Sequence, residues 1–61
     1  MRDWLKQKRT DKGLTQNELA DLVDVDTSLI GKYELGMRTP SVKTAKKIAE
    51  VLEFEWTRFY E

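Results

Sequence analysis

Leu14-Thr15-Gln16-Asn17-Glu18-Leu19-Ala20 and, after a short interruption, Thr27-Ser28-Leu29-Ile30-Gly31-Lys32-Tyr33-Glu34-Leu35 read together as two short helices joined by a tight turn. Thr15 and Glu18 have the spacing of a capping box, in which the threonine hydroxyl accepts from the glutamate amide and the carboxylate reaches back. A helix starts there, buries Leu19, Ala20 and Val23 on one face, and ends near Asp24, a residue type that tolerates left-handed backbone. Asp26 stands at the N-cap of the next helix, which runs to about Leu35 with Gly36 just beyond it.

Rotating that helix by about 100° per residue from Thr27 separates two faces. Leu29, Ile30, Tyr33 and Glu34 fall on the inward one; Thr27, Ser28, Gly31, Lys32 and Leu35 fall on the other. A glycine inside a helix costs about 1 kcal/mol relative to alanine. Gly31 is therefore either a place where the backbone closely approaches a ligand or another surface, or a tolerated defect, and the sequence leaves both open.

Working outward, Gly13 suits the left-handed end of a first helix from about Arg2 to Lys12. Thr39-Pro40-Ser41 is the next break, and Ser41 can cap a fourth helix in which Val42, Ala45, Ile48, Ala49 and Leu52 recur at helical spacing. A short fifth helix is expected around Glu55 to Tyr60. No strand alternation, repeat or linker interrupts this all-α pattern. Phe59 is assigned to the core, against Trp4 and Leu5.

Glu34 follows Ile30 by four residues, and Arg9 follows Leu5 by four, so both charges lie on inward faces. Each would be costly alone, and the reading is that they pair. The competing reading is two solvated surface charges.

Composition narrows the function. The chain has 61 residues, 39% hydrophobic and 36% charged, with no cysteine and no histidine. Disulfides, thiolate metal sites and the commonest general base are thereby absent, so no metal, cofactor or catalytic residue is assigned and an enzyme is not expected. A chain this short has room for one domain, residues 1–61, and nothing in it reads as a signal peptide or a membrane span. The 11 basic and 11 acidic residues cancel overall but not locally. Residues 1–12 carry five basic and two acidic groups and residues 32–47 five and one, whereas 13–31 and 48–61 are acidic. Two basic segments could thus form one positive face.

Gln16 to Leu35 resembles the helix-turn-helix of the phage-repressor and Cro-like, or Xre, family of bacterial DNA-binding proteins. Leu14 to Ala20 is similar to the family's opening phrase, with a small Ala20 where two helices cross. Val23, Val25, Ile30 and Tyr33 stand where the family keeps its core. Glu34-Leu35-Gly36-Met37-Arg38-Thr39-Pro40-Ser41 resembles its following loop, and Lys47-Ile48-Ala49 with Leu52 and Phe54 its fourth-helix ending. The resemblance implies a compact five-helix, lambda-repressor-like domain whose third helix enters the major groove. It places Gln16, Thr27, Ser28 and Lys32 at base-reading positions, and Arg9 with Glu34 at a structural ion pair. Phosphate contacts are expected from Thr15, Gln16 and Asn17 at a helix N-terminus and from Arg38, Thr39 and Lys43. For Lys46 and Lys47 a solvated helix face is the preferred reading.

Two departures stand out. Asp24 and Glu53 occupy positions where the family commonly has glycine, and Asp24 and Asp26 bring negative charge near the presumed phosphate track. The implied partner is double-stranded DNA, read by a homodimer for which Trp56 and Tyr60 are the candidate contacts. The implied role is a sequence-specific transcriptional regulator, a repressor on an inverted-repeat operator, in the cytoplasm of a bacterium at its nucleoid. The alternative is a protein-interaction module on the same scaffold, such as an antitoxin or anti-repressor.

Overall fold

The computed structural model describes Met1 to Glu61 and contains helices and no strands: α1 (Asp3–Asp11), α2 (Gln16–Val23), α3 (Thr27–Leu35) and α4 (Val42–Leu52), then a 3₁₀ segment, Trp56–Tyr60. The expected fifth helix is therefore corrected to a 3₁₀ turn. Its bonds span three residues, Arg58 N–H donating to Glu55 O at 3.0 Å and Glu61 N–H to Arg58 O at 3.4 Å. Five residues close too few α-helical bonds to sustain the wider helix, and the tighter form is the usual outcome for so short a piece.

All four α-helices stop by one device. A left-handed residue ends each, namely Gly13 (φ 70°), Asp24 (58°), Gly36 (77°) and Glu53 (61°). The next residue then donates its N–H to the carbonyl five positions back: Leu14 to Arg9 at 3.2 Å, Val25 to Ala20 at 3.1 Å, Met37 to Lys32 at 2.9 Å and Phe54 to Ala49 at 3.1 Å. This closure satisfies a carbonyl that the helix end would orphan. It also aims the following side chain, and Leu14, Val25 and Phe54 all pack back against the core, whereas Met37 stays exposed.

Helix starts are less uniform. Thr15 and Glu18 form the reciprocal capping box, and Ser41 Oγ accepts from Thr44 N–H at 3.2 Å. Asp26 occupies the N-cap of α3 with extended backbone, yet its carboxylate makes no capping bond. The start of α3 is braced instead by Thr27, whose hydroxyl donates to Asn17 Oδ1 in the first turn of α2 at 2.8 Å.

The core is drawn from every element: Leu5 of α1; Leu19, Ala20 and Val23 of α2; Ile30 and Tyr33 of α3; Ala45, Ile48 and Leu52 of α4; and Phe59. Each fully buried aliphatic side chain contributes about 1.5–3 kcal/mol relative to exposure, so these residues supply most of the drive to fold. Phe59 closes one end in an aromatic cluster, its ring 5.4 Å from Trp4 and 5.6 Å from Phe54 between centroids. No helix is long and apolar enough to cross a membrane.

Candidate nucleic-acid interface

The core fixes the rotation of α3. Ile30, Tyr33 and Glu34 are buried and Leu29 half-buried, which turns the opposite face outward. On that face Ser28, Lys32 and Leu35 are exposed, while Thr27 and Gly31 are half-buried at its edge. A β-carbon built on Gly31 would approach nothing nearer than the Gln16 carboxamide, 3.7 Å from Nε2 and 3.8 Å from Oε1. That is ordinary van der Waals contact, so nothing inside the protein requires glycine there.

Beneath this face lies a buried polar network. Arg9 Nε donates to Glu34 Oε2 at 2.6 Å and its Nη2 to Oε1 at 3.3 Å, with the two residues 8% and 6% exposed. Arg9 Nη1 donates to Leu14 O at 2.8 Å, tying α1 to the entrance of α2. Gln16 Nε2 completes the set by donating to Glu34 Oε1 at 3.0 Å. The carboxylate thus accepts from two helices, and no buried side-chain polar atom is left without a partner. Gln16 belongs to the network through its amide nitrogen and borders the outward face through its position beside Gly31.

The N-terminus of α2 adjoins the start of α3 through the Asn17–Thr27 bond. The capping box occupies the amides of Thr15 and Glu18, leaving those of Gln16 and Asn17 directed out of the helix end. Beyond the C-terminal end of α3, Arg38 and Thr39 are exposed in the loop, and Lys43 is exposed in the first turn of α4.

Arg2 carries a role that sequence reading missed. Its backbone N–H donates to Glu34 O at 2.7 Å, its Nη1 to Tyr33 O and Arg38 O at 2.8 Å each, and its Nη2 to Thr39 Oγ1 at 2.8 Å. These partners lie 31 to 37 positions away along the chain, beyond any local spacing signal. Through them the basic segment 1–12 meets the basic segment 32–47. Lys12 is diverted from that face by an exposed ion pair with Glu53, and Lys46 Nζ stands 5.2 Å from the Trp56 ring centroid.

Toward the C-terminus Trp56 is half-buried and Tyr60 is 48% exposed. Their rings meet edge-on with centroids 5.9 Å apart, and the Tyr60 hydroxyl donates to Pro40 O at 2.7 Å. Between α1, α2 and α3 a cleft of about 380 Å³ is lined by Arg2, Lys6, Arg9, Gln16, Gly31 and Glu34 among others. Most of the residues around it are charged or polar.

Two helices in this relation, the second with its outer face uncovered, make a helix-turn-helix, and the sequence pattern of the helix-turn-helix family HTH_3 matches residues 5–59. The chain belongs to this family, the Xre type of helix-turn-helix protein. Helix-turn-helix relatives carry regulatory names. The chain is 46% identical over 61 residues to the uncharacterized HTH-type transcriptional regulator YqaF of Bacillus subtilis (strain 168), covering all of this chain and 80% of that protein. It is 40% identical over 48 residues to the SPbeta prophage-derived uncharacterized HTH-type transcriptional regulator YonR of the same strain, covering 79% of this chain and 44% of YonR. A putative HTH-type transcriptional regulatory protein of Aeropyrum pernix is 38% identical over 48 residues, which are 79% of this chain and 15% of that protein. No solved structure matches the chain.

Proposed function

We propose that the protein is a sequence-specific transcriptional regulator that lays the outer face of α3 in the major groove of duplex DNA. The observation that carries this reading is the outer face of α3, with Ser28 and Lys32 exposed and Gly31 half-buried between them, the α2 N-terminus beside its start, and Arg38, Thr39 and Lys43 exposed beyond its end. Lys32 donates to guanine O6 or N7, the Ser28 hydroxyl serves either base type, and Thr27, whose hydroxyl proton is engaged by Asn17, offers its methyl to thymine. Gln16 reads or contacts backbone through its carboxamide oxygen, its nitrogen being engaged by Glu34. The free amides of Gln16 and Asn17, with Thr15, Arg38, Thr39 and Lys43, hold phosphates. The chemistry is hydrogen bonding and charge, with no bond made or broken.

Short side chains read few bases, so close docking and DNA shape supply part of the specificity. The longest Cα extent of the molecule is 25 Å, less than the roughly 34 Å between successive turns of the major groove, so one copy reads one half-site. A homodimer on an inverted repeat doubles the contacts, and the half-exposed rings of Trp56 and Tyr60 are its candidate contact. Occupancy of such an operator represses by excluding polymerase, in the cytoplasm of a bacterial cell. Fluorescence anisotropy with duplex DNA between 50 and 200 mM salt tests the reading, because phosphate-dominated affinity falls steeply over that range. Folded protein that binds no duplex at low salt would reject it.

A further inference from the structure

We infer that Arg2 is a positioning residue for DNA binding: it caps the C-terminus of α3 and, with the same guanidinium, holds the Arg38–Thr39 loop in place. The inference rests on the DNA-binding reading and adds to it a residue outside the groove-facing set. Two of its bonds end on α3, since Glu34 O accepts the Arg2 backbone N–H and Tyr33 O accepts Nη1. Both are carbonyls of the last helical turn, where a cation also meets the negative end of the helix dipole. The other two bonds, to Arg38 O and Thr39 Oγ1, end on the loop that follows.

The loop is anchored on either side, by Met37 N–H on Lys32 O at 2.9 Å and by the buried Pro40, whose carbonyl accepts from Tyr60. At Arg38 itself the only other bond is its N–H to Lys32 O at 3.4 Å, a long one. The planar guanidinium fork suits such a task, presenting several fixed donors at once, whereas an ammonium would hold a single point. The Arg2 guanidinium carbon itself sits 5.5 Å from the Phe59 ring centroid, so the core fixes the clamp in turn. Thr39 accepts from Arg2 and keeps its own hydroxyl proton for a phosphate oxygen.

The test uses a duplex enriched by the parent protein from a random pool, with anisotropy measured for Arg2→Ala, Arg38→Ala and the double variant across the salt range. Arg2→Ala should weaken binding about tenfold at 100 mM salt, and the log–log salt slope should become shallower by roughly 0.9, the one cationic phosphate contact that Arg38 supplies. Arg38→Ala, costly in the parent, should cost less than about twofold once Arg2 is gone, since the loop it occupies is already unheld. Mere destabilisation would lower the active fraction, read by stoichiometric titration, and leave the slope alone. Arg2→Gln, which retains one amide donor on a long stem, provides a folded comparison with the same predicted change of slope. An unchanged slope in both Arg2 variants, or full additivity with Arg38→Ala as a direct phosphate contact would give, overturns the proposal. Failure of the parent to enrich any duplex removes the DNA-binding reading and this inference together.

Discussion

Gly31 concentrates the tension between folding and function at a single position. The sequence allows it to be a defect or a site of close approach, and the structure removes one reason for it, because a β-carbon there meets only the flexible Gln16 carboxamide at ordinary distance. Gly31→Ala should therefore stabilise the fold by about 0.4–1 kcal/mol through helix propensity and reduced unfolded-state entropy. The same methyl would stand between α3 and a groove floor, so affinity for an enriched duplex should fall. A melt paired with anisotropy checks both signs; a stabilised variant with unaltered affinity would make the glycine a tolerated defect. Glu34 gives the opposite outcome. Glu34→Ala strands the buried Arg9 guanidinium and the Gln16 amide together, and breaking such a pair costs about 3–5 kcal/mol. For a domain of this size that is most of the stability, and circular dichroism should show the variant largely unfolded at room temperature. The pairing itself was legible from two charges each four residues beyond an apolar one. The third member was not, since nothing local to Gln16 says which of its carboxamide atoms turns inward.

At the scale of elements the signals written in glycine, proline and capping residues placed all four helices to within a residue or two. The capping box at Thr15 and the hydroxyl cap at Ser41 stand as read. Two features escaped the same signals for physical reasons. The C-terminal segment is amphipathic enough to read as helix, but its length selects 3₁₀ geometry, and Phe59 and Tyr60 are held by contacts with the aromatic cluster and Pro40 that periodicity does not carry. Asp26 has the right residue type for an N-cap, yet the stabilising bond at that helix start comes from Thr27 to Asn17 across the turn. The helix ends make a quantitative prediction. Left-handed geometry costs a non-glycine residue about 1–2 kcal/mol, less for aspartate, and the chain holds two such residues where glycine would do. Glu53→Gly should raise stability by about 1 kcal/mol after the small loss of an exposed ion pair with Lys12, and Asp24→Gly by somewhat less. Each kcal/mol corresponds to roughly 4–8 °C in Tm for a domain this small, so thermal melts resolve the two. A decrease in either would show that the acidic side chain makes a compensating contact at the turn.

For the whole molecule, zero net charge looked unfavourable for a polyanion partner until it was divided by segment. The fold brings the start of one basic segment against the middle of the other at Arg2, Arg38 and Thr39, around the C-terminus of α3. That convergence was foreseeable only as an arrangement the chain could adopt, because contacts between residues more than thirty positions apart leave no mark in local pattern. Dimerisation belongs at this scale too. If Trp56 and Tyr60 form the contact, Tyr60→Ala should reduce the sedimentation coefficient at micromolar concentration and flatten the cooperativity of operator binding, while a monomeric parent would show no change.

The claim on which the account rests is that the outer face of α3 reads bases in the major groove. Parallel selection from a random duplex pool with the parent protein and with Lys32→Ala addresses it most directly. The parent should enrich an inverted repeat with a symmetric guanine in each half-site, and Lys32→Ala should relax the preference at that guanine while the flanking consensus persists. The same consensus from both proteins, or none from folded parent at low salt, would contradict it.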